Sequence, residues 1–183
     1  MPSNHQDSSK NSERLFHVSE EPGIAVFEPR PSPSFFVEIT GDVVFAIEDR
    51  LLHNYLLPRD CPRVTYYQTA GTTTADKEKF FGESKADFVV IVESGWYERI
   101  KNTMLYCYEL PGNDFTLLDE CAGYQISYQP VIPNDIRTIS DIMAELLSRN
   151  VELRFTPSLI KIAEAVSKST LNFSIIRMRN AAG

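Results

Sequence analysis

Three kinds of side chain in this sequence have the type and setting to do chemistry. The first is His17, inside Leu15-Phe16-His17-Val18-Ser19, where alternation predicts a short strand with Phe16 and Val18 on one face and His17 on the other. A histidine at the mouth of a strand can fix a ligand hydroxyl or phosphate through two ring nitrogens; the plainer alternative is a core histidine bonded to a backbone carbonyl. The second is Tyr55. Val43-Val44-Phe45-Ala46-Ile47 reads as a buried strand, after which Ile47, Leu51 and Tyr55, with Leu52 and Leu56, recur at helical spacing until Pro58. Tyr55 is therefore expected on the inward face of a helix that follows a central strand.

The third kind is arginine: Arg30, Arg59, Arg63, Arg154, Arg177 and Arg179. Guanidinium groups form forked contacts with phosphate and carboxylate. In Pro58-Arg59-Asp60-Cys61-Pro62-Arg63 two prolines restrain the backbone, so both arginines could be presented at little entropic cost. Against that stands a purely structural role, with Arg59 pairing with Asp60, Glu20 or Glu21. Arg177 and Arg179 are expected on one face of a last strand, lining a groove or lying solvated at a sheet edge. Cys61 beside two arginines is expected to have a lowered pKa, although no histidine is placed next to it.

The elements that must position these groups fit an α+β domain. At 183 residues, with 43% hydrophobic and 23% charged residues, the chain has the length for one sizeable core. A formal charge of −7 argues against general nucleic-acid binding but not against a local basic pocket. Cys61, Cys107 and Cys121 are odd in number and lack a CxxC spacing, so neither a disulfide scaffold nor a metal site is expected. No apolar run nears the roughly 20 residues of a membrane span, and a cytoplasmic location is the expectation.

Residues Met1 to Glu13 read as a disordered tail, with a single globular domain over 14–183. Pro29, Pro31 and Pro33 predict an extended loop. Further strands are expected at 64–67, 88–92, 104–108, 115–118, 124–128, 151–155 and 171–175, and short helices at 77–81 and 96–101. Thr138 and Asp141 suggest a capping box before a helix carrying Ile142 and Leu146; Thr156 and Pro157 suggest the start of another with Leu159, Ile162, Ala163 and Val166 inward. Tyr66, Tyr67, Tyr106, Tyr108 and Trp96 read as packing residues, and His53 as solvent-facing.

A strand with His17, a strand Val-Phe-Ala-Ile leading to Tyr55, and Ile126-Ser127-Tyr128-Gln129-Pro130-Val131-Ile132-Pro133 together resemble the His-Tyr-Glu branch of the ADP-ribosyltransferase fold. That branch includes rifampin-modifying transferases and RNA 2′-phosphotransferases. The resemblance implies NAD as cofactor, with His17 on the nicotinamide ribose and Tyr55 stacked on nicotinamide. It also implies mixed or antiparallel sheets with flanking helices. Where that branch carries its glutamate, this chain has Tyr124, which is not anionic at neutral pH and cannot stabilise an oxocarbenium-like centre as a carboxylate would. Glu120 is the one upstream substitute considered. The chain from Leu15 to Asn180 also resembles a small bacterial family of uncharacterised proteins, through His17-Val18-Ser19-Glu20-Glu21-Pro22, Asn54-Tyr55-Leu56-Leu57-Pro58-Arg59 and Phe173-Ser174-Ile175-Ile176-Arg177.

The expected site thus has His17, Tyr55, Tyr124 and Glu120 as candidate catalytic residues. Arg30, Arg59, Arg63, Ser19, Ser127 and Arg177 would hold a nucleotide or another phosphorylated small molecule. His17 and Tyr55 are expected to converge on one cleft. The alternatives are a binding module without catalysis and an enzyme acting on RNA 2′-phosphates.

Overall fold

A computed structural model describes residues 14–32 and 36–182; the expected tail over 1–13 and Pro33 lie outside the described residues. Two sheets carry the chain. The first has six antiparallel strands in the order β6-β7-β2-β1-β5-β8: β1 Leu15–Ser19, β2 Val44–Glu48, β5 Leu105–Leu110, β6 Thr116–Asp119, β7 Tyr124–Ser127 and β8 Asp135–Ile139. The second has four, in the order β10-β3-β4-β9: β3 Arg63–Tyr67, β4 Phe88–Glu93, β9 Val151–Thr156 and β10 Asn172–Ile176. Its β4–β9 pair is parallel and its other pairs are antiparallel. Four short helices flank the sheets: α1 Thr74–Phe80, α2 Tyr97–Asn102, α3 Ile142–Ser148 and α4 Ile160–Ser167.

Alternation along the strands builds three apolar layers. Phe16, Ile47, Leu105 and Cys107 of the first sheet meet Val90, Val92 and Val151 of the second in a shared core, closed by Ile142 and Leu146 of α3. On the far side of the second sheet, Val64, Tyr66, Val89 and Ile91 pack under Phe80, Leu159, Ala163 and Val166. Beyond the first sheet, Leu15, Val44, Ala46, Tyr108 and Leu110 are covered by Phe27 and Val131. β4 serves two layers, which is why Phe88-Val89-Val90-Ile91-Val92 is apolar without alternation. Each of its fully buried valines contributes on the order of 1.5–3 kcal/mol of apolar burial.

The structure corrects several local expectations. Residues Asp49–Tyr55 form a 3₁₀ helix rather than an α-helix, and Ile47 belongs to β2. With three residues per turn the faces rotate, and His53, expected in solvent, is 2% exposed against Phe88. Asp141 alone caps α3, its carboxylate accepting from Ala144 N at 2.9 Å, while Thr138 pairs with Tyr106 in β8, a strand not foreseen. Thr156 ends β9, and the residue preceding α4 is Leu159. β10 stops at Ile176, so Arg177 and Arg179 do not share a strand face: Arg177 is left-handed (φ 57°) and Arg179 lies in the 3₁₀ turn Met178–Asn180.

Candidate functional site: an arginine cluster where two strands part

β1 and β2 pair only at Leu15↔Glu48 and Phe16↔Ile47. Beyond Phe16, β1 keeps its pairing with β5 as far as Ser19↔Tyr106, while β2 keeps its pairing with β7. At this parting the His17 ring reaches Phe45, with Nδ1 at 3.0 Å from the carbonyl oxygen, and packs on Phe27 at 4.7 Å between centroids. A carbonyl only accepts, so Nδ1 carries the proton and Nε2 remains a lone-pair acceptor. Burial lowers the His17 pKa, and the charges of Arg59 and Arg30 add to the effect, keeping the ring neutral.

Tyr55 ends the 3₁₀ helix and its hydroxyl hydrogen-bonds that of Tyr124 on β7. Tyr124 stands across from Ile47, on the core side of the first sheet, and its ring meets those of Phe45 and Phe36 at 6.1 and 6.3 Å. The expected convergence of His17 with Tyr55 is therefore not found. His17 is held by Phe45 O and Phe27, Tyr55 by Tyr124, and the two stand on either side of Phe45. Strand alternation alone produces that separation, because Phe16 and Val18 point to the shared core and His17 does not.

Beneath Tyr55 lies Arg63, only 2% exposed. Its Nε donates to Asn54 O at 3.0 Å, and its Nη1 donates to Cys61 O at 2.9 Å and Pro58 O at 3.4 Å. The guanidinium lies 5.6 Å from the centre of the Tyr55 ring. Burial lowers its pKa, yet a guanidinium keeps its charge inside proteins. Burial and then Tyr124 raise the Tyr55 pKa well above the ordinary tyrosine value, against the opposing charges of Arg63 and Arg177. Arg177, half-buried, donates from Nε to Arg59 O at 3.3 Å. Arg59 is anchored through its own N–H on Glu20 Oε1 at 2.8 Å, and the other Glu20 oxygen takes Arg99 at 2.6 Å.

The pairing of the arginines divides the chain. Arg14, Arg50, Arg99, Arg137, Arg149 and Arg154 each reach a carboxylate within ion-pair distance. Among the described residues no carboxylate lies within that distance of Arg30, Arg59, Arg63, Arg177 or Arg179. The first four form two groups, Arg30 and Arg59 acting on His17 and Arg63 and Arg177 on Tyr55, joined by the bond from Arg177 Nε to Arg59 O. Arg63 is buried on its carbonyls, whereas the exposed Arg30 and Arg59 and the half-buried Arg177 are able to receive an anion.

Other candidates are placed elsewhere or are already engaged. Ser19 Oγ accepts from Glu21 N, and the buried Ser127 Oγ closes a turn with Gln129, so both hydroxyls serve local backbone. Glu120 is exposed in the β6–β7 turn, where its carbonyl accepts from Arg50. Cys61 is fully buried and its thiol is pushed up to about 12 by burial, the reverse of the activated thiolate expected from its arginine neighbours. Cys107 is likewise buried, at about 11, and Cys121 is exposed. A thiol reagent should therefore label Cys121 in the native protein and spare the other two until unfolding; equal labelling of Cys61 would contradict its burial.

Two buried carboxylates escaped the sequence reading. Glu48 holds Gln125 Nε2 at 3.0 Å and Arg50 Nε at 3.4 Å. Glu93 accepts from Leu159 N and, with both oxygens, from Ala182 N, pinning the segment that follows Arg177. The signal lay in an acidic residue closing an apolar run, as in Val44–Glu48 and Phe88–Glu93. Asn54 Oδ1 is buried with no partner among the described residues. Two open hollows lie away from the arginines: one of about 380 Å³ by Ile24, Tyr108 and Asn134, and one of about 520 Å³ by Tyr67, Lys85 and Asp87. Neither gathers charges of one sign, so chemistry favours the arginine cluster.

Residues 16–181 match the model of a family of unknown function, DUF6886. The chain belongs to that family. No curated protein and no solved structure matches it. Among the described residues no helix is long and apolar enough to cross a membrane, and no three His, Cys, Asp or Glu side chains are grouped to hold a metal ion.

Proposed function

We propose that this DUF6886 protein binds a nucleotide, of which NAD is one, or another phosphorylated small molecule at the parting of β1 and β2. The observation that carries this reading is that Arg30, Arg59 and Arg177 meet no carboxylate among the described residues in a chain of net charge −7. Arg59 and Arg177 suit a diphosphate, and the edges of Phe45, Tyr55 and Tyr124 suit a flat ring. The resemblance to the His-Tyr-Glu transferases adds NAD as the specific candidate.

Binding without rapid turnover is the preferred form of the reading. Tyr124 is bonded to Tyr55 at the place where the transferases carry a carboxylate, and Glu120 faces solvent. An absent carboxylate against a developing positive centre commonly costs orders of magnitude in rate. A second reading, slow release of nicotinamide from NAD, is favoured by the tautomer of His17 alone.

Thermal shift with NAD, ATP and a short 2′-phosphorylated RNA tests the proposal, because a ligand of the folded state raises the melting temperature. At least one of the three should raise it beyond the effect of sodium chloride at equal ionic strength. If none does, the proposal fails.

A further inference from the structure

A strand at the edge of a sheet shows an open row of backbone donors and acceptors, and proteins usually blunt it with a bulge, a proline or a short strand. Two edges of this fold are blunted. β6 has four residues and a register shift between Leu117 and Asp119, while β8 follows Pro133 and its Arg137 is taken twice by Glu145. β10 carries no charge that would set a register. β9 is different. It is six residues long, keeps an unbroken register with β4, and contains neither proline nor glycine. Among the described residues β4 is its only backbone partner, so the other edge of Glu152–Phe155 is open. The exposed Phe155 lies along it, its ring 5.6 Å from that of the exposed Tyr97.

The charges on β9 decide what can fill that edge. Glu152 and Arg154 share one face and pair at 2.8 Å through Arg154 Nε. Arg154 Nη1 donates to the Tyr66 hydroxyl and to Phe80 O, while Nη2 meets no acceptor among the described residues. In an antiparallel ladder, residues whose backbone faces outward must meet others that do the same. A two-fold pairing is therefore centred on a residue, never between two. A centre on Glu152 sets two carboxylates directly opposite, and a centre on Arg154 sets two guanidinium groups opposite; both are unfavourable. A centre on Leu153 sets Glu152 against Arg154 of the second copy, twice over, with Val151 against Phe155. We infer that β9 pairs with β9 of a second copy in this register, joining the two four-stranded sheets into one across a two-fold axis. β10 and the Arg177 that follows it lie at the opposite edge, so the anion site stays open in the dimer.

Sedimentation of the full chain at physiological ionic strength, where repulsion between two copies of charge −7 is largely screened, should give a dimer at micromolar concentration. Glu152→Lys and Arg154→Glu should each weaken it about tenfold. Mixed in equal amounts, the two variants should restore it, because every cross-strand pair is then again one of opposite charge. Arg154 also holds Tyr66 and Phe80, so a second measurement covers a variant that fails to fold. Directly opposed residues of antiparallel strands stand about 4.5–5.5 Å apart between Cα atoms, within disulfide range. Oxidation should link Leu153→Cys chains into dimers and leave Ile136→Cys, on β8, unlinked, each made with Cys121→Ser to remove the exposed native thiol. A wild type that stays monomeric, single reversals that dimerise as wild type does, folded reversals that do not pair when mixed, or a link at 136 and none at 153 would each overturn the pairing.

Discussion

Between pH 6.5 and pH 5 the wild-type protein should lose on the order of 2 kcal/mol of stability through His53. His53 is 2% exposed, its ring 4.1 Å from that of Phe88, and its pKa is held down to about 3, first by burial and then by the charge of Arg149. The folded state thus refuses a proton that the unfolded chain takes up near pH 6.5. Stability is full above that value and falls as pH drops towards 3, by as much as about 1.4 kcal/mol per unit. The lowered pKa of His17 acts in the same direction. Glu109 and Glu145, whose carboxyls are held below the usual range by Arg14 and Arg137, lose their contribution only at lower pH. Urea unfolding of wild type and His53→Gln across this range separates the effects. The variant should show a much flatter slope, whatever its absolute stability. Superimposable pH profiles would show that His53 titrates normally in the folded protein.

A second large effect is expected at Gly123, which turns the chain from β6 into β7 with φ +67°. A Cβ there would stand 3.1 Å from Leu51 Cδ1 and 3.4 Å from Glu48 Oε2. Leu51 is fully buried in the shared core, so it has little room to yield. Left-handed backbone costs a non-glycine residue on the order of 1–2 kcal/mol, and the contact adds to it. Gly123→Ala should therefore cost about 2–3 kcal/mol in denaturant unfolding. Gly82 is the control. It is also left-handed (φ +55°), but the nearest atom to its Cβ is Glu78 O at 3.9 Å, so Gly82→Ala should cost only about 1 kcal/mol. Equal costs at the two sites would mean that crowding against Leu51 and Glu48 is relieved without penalty. Because Gly123 adjoins Tyr124, the same substitution should also disturb the Tyr55–Tyr124 bond.

The sequence carries the sheets more openly than the site. β4 is readable because a strand buried on both faces must be apolar throughout, and β1 because one face meets the core and the other Phe27. β8 is not readable. Asp135–Ile139 is exposed at four of its five positions and lies at a sheet edge, so only its pairing with β5 makes it a strand. The 49–55 helix shows its spacing but not its pitch, and that difference carried His53 to the wrong side. At the site, residue types were legible and their relations were not. Nothing local in Leu15–Ser19 says that β2 departs after Phe16, or that His17 and Tyr55 stand on either side of Phe45. The arginines were visible as phosphate binders. That Arg14, Arg50, Arg99, Arg137, Arg149 and Arg154 take carboxylates, while Arg30, Arg59, Arg63, Arg177 and Arg179 meet none among the described residues, depends on partners as far apart in sequence as Arg14 and Glu109.

The central claim is that Arg59 and Arg177, which meet no carboxylate among the described residues, hold an anionic ligand, and that net charge does not. Its most direct test is equilibrium binding of ATP and NAD to the wild type, to Arg177→Glu and to Lys168→Glu, two variants with the same change in charge. Lys168 sits exposed at the end of α4, paired with Glu164 one turn earlier. Lys168→Glu should bind as wild type, and Arg177→Glu should lose affinity at least tenfold, with a shallower dependence on salt. Equal binding by all three proteins would contradict the account.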